Sequence, residues 1–144
     1  MKKLLLFVVI ASLMASCGGG GGGEFGVVGQ KFDAGKYKIY AGDEQTCIFE
    51  GEPDKYGYVL DGKIAIPPVF EKMKLPETAN DGSVYFVVTK DGKMGLLKAF
   101  EKSYSVPCEY ELVDIFVSPN LLVLKKQGES PETFRLDTRE SIAQ

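Results

Sequence analysis

The sequence predicts an all-β domain of tandem antiparallel β-hairpin repeats, with little or no helix in the mature chain. The first observation is a pair of turns, because Asp61-Gly62 and Asp91-Gly92 each separate two short apolar segments. Asp-Gly accepts the positive φ angles of a two-residue type I′ hairpin turn. The second is the alternation in residues 83–90, whose β-branched and aromatic side chains favour strands over helices.

The third observation is an internal repeat. Residues 55–60 recur 38 residues later as residues 93–98, and residues 66–71 recur 40 residues later as residues 106–111. A third fragment completes the pattern, since residues 122–128 match residues 86–92 at an offset of 36. We therefore expect one domain over residues 25–144, with repeat units at about 47–84 and 85–120 and a partial unit at 121–138.

The repeated positions resemble the WG-repeat (KWG) family. Its units run from an aromatic-Gly pair through a Gly-Lys turn to Ile-Pro and then Tyr-Asp. The first unit matches with Tyr56-Gly57, Gly62-Lys63, Ile66-Pro67 and Phe70-Glu71, and the second with Met94-Gly95, Val106-Pro107 and Tyr110-Glu111. The resemblance covers roughly Cys47 to Gly128, although the chain has no tryptophan. It implies a binding or structural module with no shared catalytic residues.

The repeated glycines and prolines suggest how the strands pack. We expect Gly57 and Gly95 to permit a bulge or the close approach of a neighbouring backbone, with an aromatic ring of the next unit lying across them. Pro67, Pro68 and Pro107 cannot donate to a β-ladder, so we expect them at strand ends or on edge strands.

Residues 1–16 read as an export signal. Two lysines precede an apolar stretch over residues 4–15, which is shorter than the roughly 20 apolar residues of a membrane-spanning helix. Leu13-Met14-Ala15-Ser16-Cys17 looks like the lipobox of bacterial lipoproteins, which implies cleavage before Cys17 and a diacylglycerol on its sulfur. An ordinary secretory signal is the alternative. Two or three acyl chains such as palmitate would anchor the protein durably.

Residues 17–24 then form a tether, because the glycines at 18–23 have no side chains to pack and cannot nucleate a helix or strand. By coil statistics, six such residues place their ends about 13 Å apart. The expected location is the cell envelope, with a lipid membrane as partner. No aspartate follows Cys17, so we expect the outer rather than the inner membrane, on a face that the sequence leaves open.

The composition argues against several functions. The chain has no histidine, which removes Ser-His-Asp and Cys-His catalysis and the commonest zinc ligand. We expect no metal, no cofactor and no enzymatic activity. The net charge of -3 becomes -5 once Lys2 and Lys3 leave with the signal, so nucleic acid is not an expected partner.

Carboxylates carry the remaining catalytic alternative. A glycoside hydrolase needs two of them across a cleft, about 5 to 9 Å apart. The nearest cluster in the sequence is Glu71, Glu109, Glu111 and Asp114. A solvated strand face explains these residues equally well, and turn chemistry rather than calcium binding explains Asp61, Asp81 and Asp91.

Two cysteines remain in the mature domain. Cys47 and Cys108 could pair in an oxidising envelope, or each could be a small buried hydrophobe. The spacing of 61 residues does not decide between these alternatives.

Tyrosines supply the candidate binding surface, which we place at Tyr56, Tyr58 and Tyr85. Such rings offer large contact area at a small entropic cost, although cross-strand packing is the alternative. Three functions follow for the lipoprotein: a protein-binding or structural module of the envelope, a glycan-binding surface protein, and a carboxylate-dependent hydrolase.

Overall fold

The computed structural model describes residues 25–142, which form twelve strands and, within that range, no helix. The prediction of an all-β fold built from antiparallel hairpins is confirmed. The first sheet contains β1 (Lys38–Gly42), β2 (Thr46–Glu50), β3 (Tyr56–Leu60) and β4 (Lys63–Phe70), in that order. The second sheet has the order β5 (Lys72–Met73), β7 (Val84–Lys90), β8 (Lys93–Lys98) and β9 (Val106–Tyr110), with β6 (Glu77–Thr78) also paired to β7. The third contains β10 (Leu112–Phe116), β11 (Leu121–Lys125) and β12 (Glu132–Arg135).

The two Asp-Gly turns have the expected geometry. Asp61 and Gly62 have φ angles of 56° and 77°, and Asp91 and Gly92 have 54° and 78°. Positive φ at both central residues defines the type I′ turn, whose twist matches that of the flanking strands. The turns join β3 to β4 and β7 to β8. The residues that flank each turn are paired across the two strands, Leu60 with Lys63 and Lys90 with Lys93.

The repeat is visible in the way the chain passes between sheets. Glu71 follows β4 and leads into the second sheet, and Glu111 follows β9 and leads into the third. The N–H of Glu71 donates to the carbonyl of Thr89 at 2.9 Å, and the N–H of Glu111 donates to that of Lys125 at 2.8 Å. The chain therefore passes from one sheet to the next at these two glutamates, earlier than the predicted unit ends at residues 84 and 120. The reason is that β5 and β6 pair with β7, and β10 pairs with β11.

Gly57 and Gly95 lie at irregularities of the ladder, next to closely approaching backbone. A Cβ atom on Gly57 would lie 2.5 Å from the carbonyl oxygen of Ile66, and one on Gly95 would lie 2.7 Å from that of Val106. The atoms nearest to these two Cβ positions include no ring of the next unit. The aromatic neighbour of Gly57 is Phe49 on β2 of the same sheet, 2.8 Å from that Cβ position, because β2 pairs directly with β3.

The prolines occupy edge strands. Pro67 and Pro68 lie in β4, the last strand of the first sheet, and Pro107 lies in β9, the last strand of the second. Their missing N–H groups are tolerated there because one side of an edge strand has no ladder to support.

Three apolar clusters hold the domain together. The first lies between residues 27–37 and the first sheet, the second between the first and second sheets, and the third between the second and third sheets. Their largest fully buried side chains include Phe49 in the first, Phe70 and Phe86 in the second, and Leu96 and Leu122 in the third. The sheets thus form a stack in which each apolar cluster packs one layer against the next.

The N-terminal segment, residues 25–37, acts as a cap on this stack. Phe32 is buried and packs edge-on against Phe49, with ring centroids 5.2 Å apart. The N–H of Gly29 donates to the carbonyl of Ile64 at 2.8 Å, and the N–H of Ile64 donates to the carbonyl of Gln30 at 2.9 Å. The cap covers the outer face of the first sheet and one edge of β4.

Candidate ligand-binding groove

A groove of about 760 Å³ runs along the turn edge of the stack. We call it the loop groove. Apolar side chains from the cap and from β4 form its walls, and charged side chains from three turns form its rim. The walls include Phe25, Val27, Tyr37, Pro67, Pro68 and Val69, and the rim carries Lys36, Glu52, Lys55, Lys90 and Asp91.

Phe25 fixes the wall of the groove at the point where the chain enters the domain. Its N–H donates to the carbonyl of Lys102 at 3.1 Å. Its ring packs edge-on against Tyr104 and Phe70, with centroid distances of 5.2 and 6.3 Å. The ring is thus held by the cluster between the first and second sheets, so this wall is preorganised rather than formed by a loose terminus.

Glu71 fixes the opposite rim. Its carboxylate accepts hydrogen bonds from the N–H groups of Asp91 at 2.8 Å and Gly92 at 3.4 Å, and it lies 3.8 Å from the Lys55 ammonium. The hydrogen bond from Asp91 is the main cause that lowers the pKa of Glu71, with Lys55 and Lys72 adding to it. An ionised Glu71 therefore ties the β7–β8 turn to the end of β4.

Each of the three lysines on the rim comes from a different turn. Lys36 precedes β1 and lies over the Tyr37 ring at 5.4 Å, Lys55 precedes β3, and Lys90 ends β7. Glu52 and Asp91 also line the groove, so the rim presents both signs of charge around apolar walls. The apolar walls of such a site can bury the apolar part of a ligand, and the charged rim can orient the ligand through its polar or charged groups.

The three tyrosines predicted as a binding surface do not share one. Tyr85 is only 3% exposed and belongs to the cluster between the second and third sheets, so it is not part of a binding surface. Tyr58 is half-buried and packs on Phe86 at 4.8 Å, on the opposite side of the second sheet. Burial raises the pKa of both hydroxyls.

Tyr56 does line a surface hollow. It packs edge-on against Tyr40 at 5.1 Å, and Tyr40 is 62% exposed. The two rings border a hollow of about 450 Å³ together with Ile48, Glu71, Lys72 and Met73. This tyrosine hollow is separate from the loop groove except for their shared neighbour Glu71.

The disulfide considered from the sequence is not formed. Cys47 and Cys108 are both free thiols, the first buried under the cap and the second half-buried against the cluster between the first and second sheets. Burial raises the pKa of each thiol. Because the two side chains belong to different clusters, each fills space as a small hydrophobe, which was the alternative reading. The predicted lipidation residue Cys17 lies outside the described residues.

Three of the four candidate catalytic carboxylates have structural partners. Glu71 holds the turn described above, and Glu111 accepts from the Lys125 ammonium at 2.9 Å. Asp114 accepts a hydrogen bond from the N–H of Ile115 at 3.0 Å. In the part of the chain that the structure describes, no three His, Cys, Asp or Glu side chains group together as metal ligands. Asp61 and Asp91 occupy their turns, and Asp81 accepts from the N–H of Ser83.

The loop groove was missed at the level of sequence. Its residues come from four separated stretches, and none of them carries a motif that names a ligand. The one signal available was the placement of Lys36, Lys55 and Lys90 beside turns, which on its own is typical of any solvated turn. Residues 25–142 contain no helix that is long and apolar enough to cross a membrane. No protein-family model, curated protein or solved structure matches the chain.

Proposed function

We propose that the protein is a lipid-anchored, non-catalytic binding module of the bacterial cell envelope, with its ligand in the loop groove. The observation that carries the proposal is the groove itself. Its volume of about 760 Å³ falls within the range of roughly 300 to 1,000 Å³ that is typical of ligand sites. Apolar walls and a rim of both charges are the usual composition of such a site.

The position of the groove suits an anchored protein. Phe25 forms one wall and lies eight residues after Cys17. Eight residues reach at most about 28 Å when fully extended. A lipid on Cys17 would therefore keep the groove close to the headgroups, where it meets envelope components. The absence of an aspartate after Cys17 favours the outer membrane.

The anchor is tested by intact mass and fractionation. We expect the mature chain to begin at Cys17 and to carry the added mass of a diacylglycerol. The Cys17→Ala chain should leave the membrane fraction. A mature chain that begins at Cys17 without added lipid mass would contradict the anchor.

The groove is tested by photo-crosslinking in intact envelopes. Lys36 is exposed on the rim, so benzoylphenylalanine in its place samples the groove without disturbing the core. The same probe in place of Leu75, which is 78% exposed and lines none of the clefts described above, is the matched control. We expect one protein partner at the first position and none at the second. No adduct at either position would count against a protein ligand.

A glycan-binding function is the second candidate, and the tyrosine hollow favours it. Tyr40 and Tyr56 present two fixed rings beside Glu71 and Lys72, an arrangement that lets a sugar pack on a ring face and hydrogen-bond at its rim. The high exposure of Tyr40 leaves that ring free to be covered.

Retention on immobilised envelope polysaccharide tests this candidate. Tyr40→Ala should abolish retention if the hollow binds glycan, whereas Tyr85→Phe, which changes a buried ring, should leave retention unchanged. Equal retention of both variants would exclude the hollow as a glycan site. The carboxylates Glu71 and Glu111 are already engaged in holding turns and strands, so we propose no hydrolase.

A further inference from the structure

The outer face of the third sheet has no cover among residues 25–142. The strand register puts Asp114, Val123 and Thr133 in one row and Phe116, Leu121 and Arg135 in the next. Directly paired residues of an antiparallel ladder point to the same side of the sheet. We call these six residues the open face. The alternate residues on β10 and β11 point the other way and are buried against the second sheet.

The open face is apolar along its middle. Phe116 is 44% exposed, and Leu121 and Val123 on the central strand are half-buried. None of these three side chains belongs to a core cluster of the described residues. In a stack of repeats, such a face is normally covered by a cap or by a further repeat. A contiguous exposed apolar patch is typical of an interaction site.

Charges flank the apolar strand in a self-complementary way. Asp114 lies on β10 and Arg135 lies on β12, on opposite sides of β11. A half-turn about an axis parallel to β11 places β10 of one copy over β12 of another. Asp114 then lies over the Thr133 position on β12 of its partner, one row from Arg135, whose long side chain can extend toward it. The reciprocal contact forms at the same time, as a two-fold interface requires.

Two other charges lie near this arrangement. Lys125 also lies on β11, but its ammonium contacts the Glu111 carboxylate at 2.9 Å, so its charge is compensated within the chain. Asp137 lies close enough to Arg135 for its pKa to be lowered by the guanidinium, although hydrogen bonds involving Asn120 and Thr138 lower it more. The Asp137 carboxylate accepts from the Thr138 N–H at 2.7 Å.

We infer that the open face is a dimer interface, on which a second copy of this chain packs its own open face about a two-fold axis parallel to β11. The central strand supplies the apolar contact, and the two Asp114–Arg135 pairs set the orientation of one copy relative to the other. A second copy is favoured over an unrelated protein because the face carries its own charge complement.

Photo-crosslinking of the full chain in intact cells tests this interface. Benzoylphenylalanine replaces Phe116, whose ring it resembles, and in the matched control it replaces the exposed Leu75. We expect a species of twice the chain mass at the first position only, with both joined peptides assigned to this chain by mass spectrometry. The Cys17→Ala chain should give the same species, so this result is separate from that of the anchor.

Charge reversal supplies the second readout. With the probe at Phe116, Asp114→Arg and Arg135→Asp should each lower the dimer yield by at least about fivefold, and the double variant should restore it. Circular dichroism of each purified chain checks that it is folded. Cross-linking only to another protein, no cross-linked dimer from a folded chain, or a folded double variant that fails to recover the yield would each overturn the inference.

Discussion

The first and third sheets, at the two ends of the stack, differ in whether their outer faces are covered. The first sheet buries one face under the cap, residues 25–37, and the other against the second sheet. The third sheet buries one face against the second sheet and leaves the other open, with Phe116 44% exposed. Hairpin repeats of this kind need a neighbour on each side. The chain provides that neighbour at one end, and the inferred dimer provides it at the other.

The largest expected effect contrasts one phenylalanine from each end. Phe32→Ala removes a buried ring from the cap that contacts Phe49 and Tyr37, and it should lower the free energy of unfolding by about 3 kcal/mol. Phe116→Ala should change it by less than about 0.5 kcal/mol, because half of that ring is already in water.

Urea unfolding at low protein concentration, where copies are separate, measures both values. Equal losses for the two variants would mean that the cap contributes no more to stability than the open face does.

A smaller effect is expected from a glycine pair in the capped half. Gly57→Ala forces a Cβ to within 2.5 Å of the Ile66 carbonyl and 2.8 Å of the Phe49 ring, and such overpacking should destabilise the chain by about 1 to 3 kcal/mol. Gly26→Ala meets no atom within 4 Å and serves as the matched control. Thermal unfolding of the two variants should show a clear loss for the first only. An unchanged Gly57→Ala chain would contradict the close strand approach.

The smallest effect compares the two glutamates at the sheet junctions. The pKa of Glu71 is lowered from its ordinary value of 4.5, chiefly by the hydrogen bond from Asp91. A lowered pKa stabilises the fold above the unfolded-state value, and that contribution is lost as the pH falls through the folded-state value. Glu71→Gln should therefore lower the melting temperature at pH 7 and reduce its fall between about pH 5 and pH 3.

Glu111→Gln removes an ion pair with Lys125 at the surface, which is worth about 0 to 1 kcal/mol. Its melting curve at pH 7 should stay close to that of the parent chain. A Glu71→Gln chain with the acid sensitivity of the parent would show that Glu71 is not the group that ties the β7–β8 turn.

The turns and the repeat were predictable because they depend on local chemistry. Asp61-Gly62 and Asp91-Gly92 adopt the positive φ angles that a two-residue type I′ turn requires, and the Glu71 and Glu111 junctions recur at the 40-residue offset seen in the sequence. The direction of Tyr85 was not predictable. Strand alternation separates two faces, but β7 buries both of them, so period alone cannot show which side chains face solvent.

The cap and the loop groove could not be predicted for a related reason. Residues 25–37 match no repeat unit and contain no long apolar alternation, so their docking depends on the shape of the first sheet. The groove combines this segment with residues 51–55, 67–69 and 90–91, which only the tertiary fold brings together. The sequence likewise could not show that Cys47 is a free thiol, because this depends on the cluster in which its side chain is buried.

Thiol alkylation in a single molecule tests the contrast between the two ends most directly. The full chain is prepared with Asp114→Arg, which should weaken the inferred dimer, and with Val123→Cys. It presents one introduced thiol on the open face and the natural Cys47, which is 2% exposed, under the cap. Peptide mapping after brief alkylation in native buffer should find the introduced thiol modified and Cys47 protected until the chain is unfolded, a difference in rate of at least about 100-fold. Comparable rates at the two thiols would contradict the capped and open ends described here.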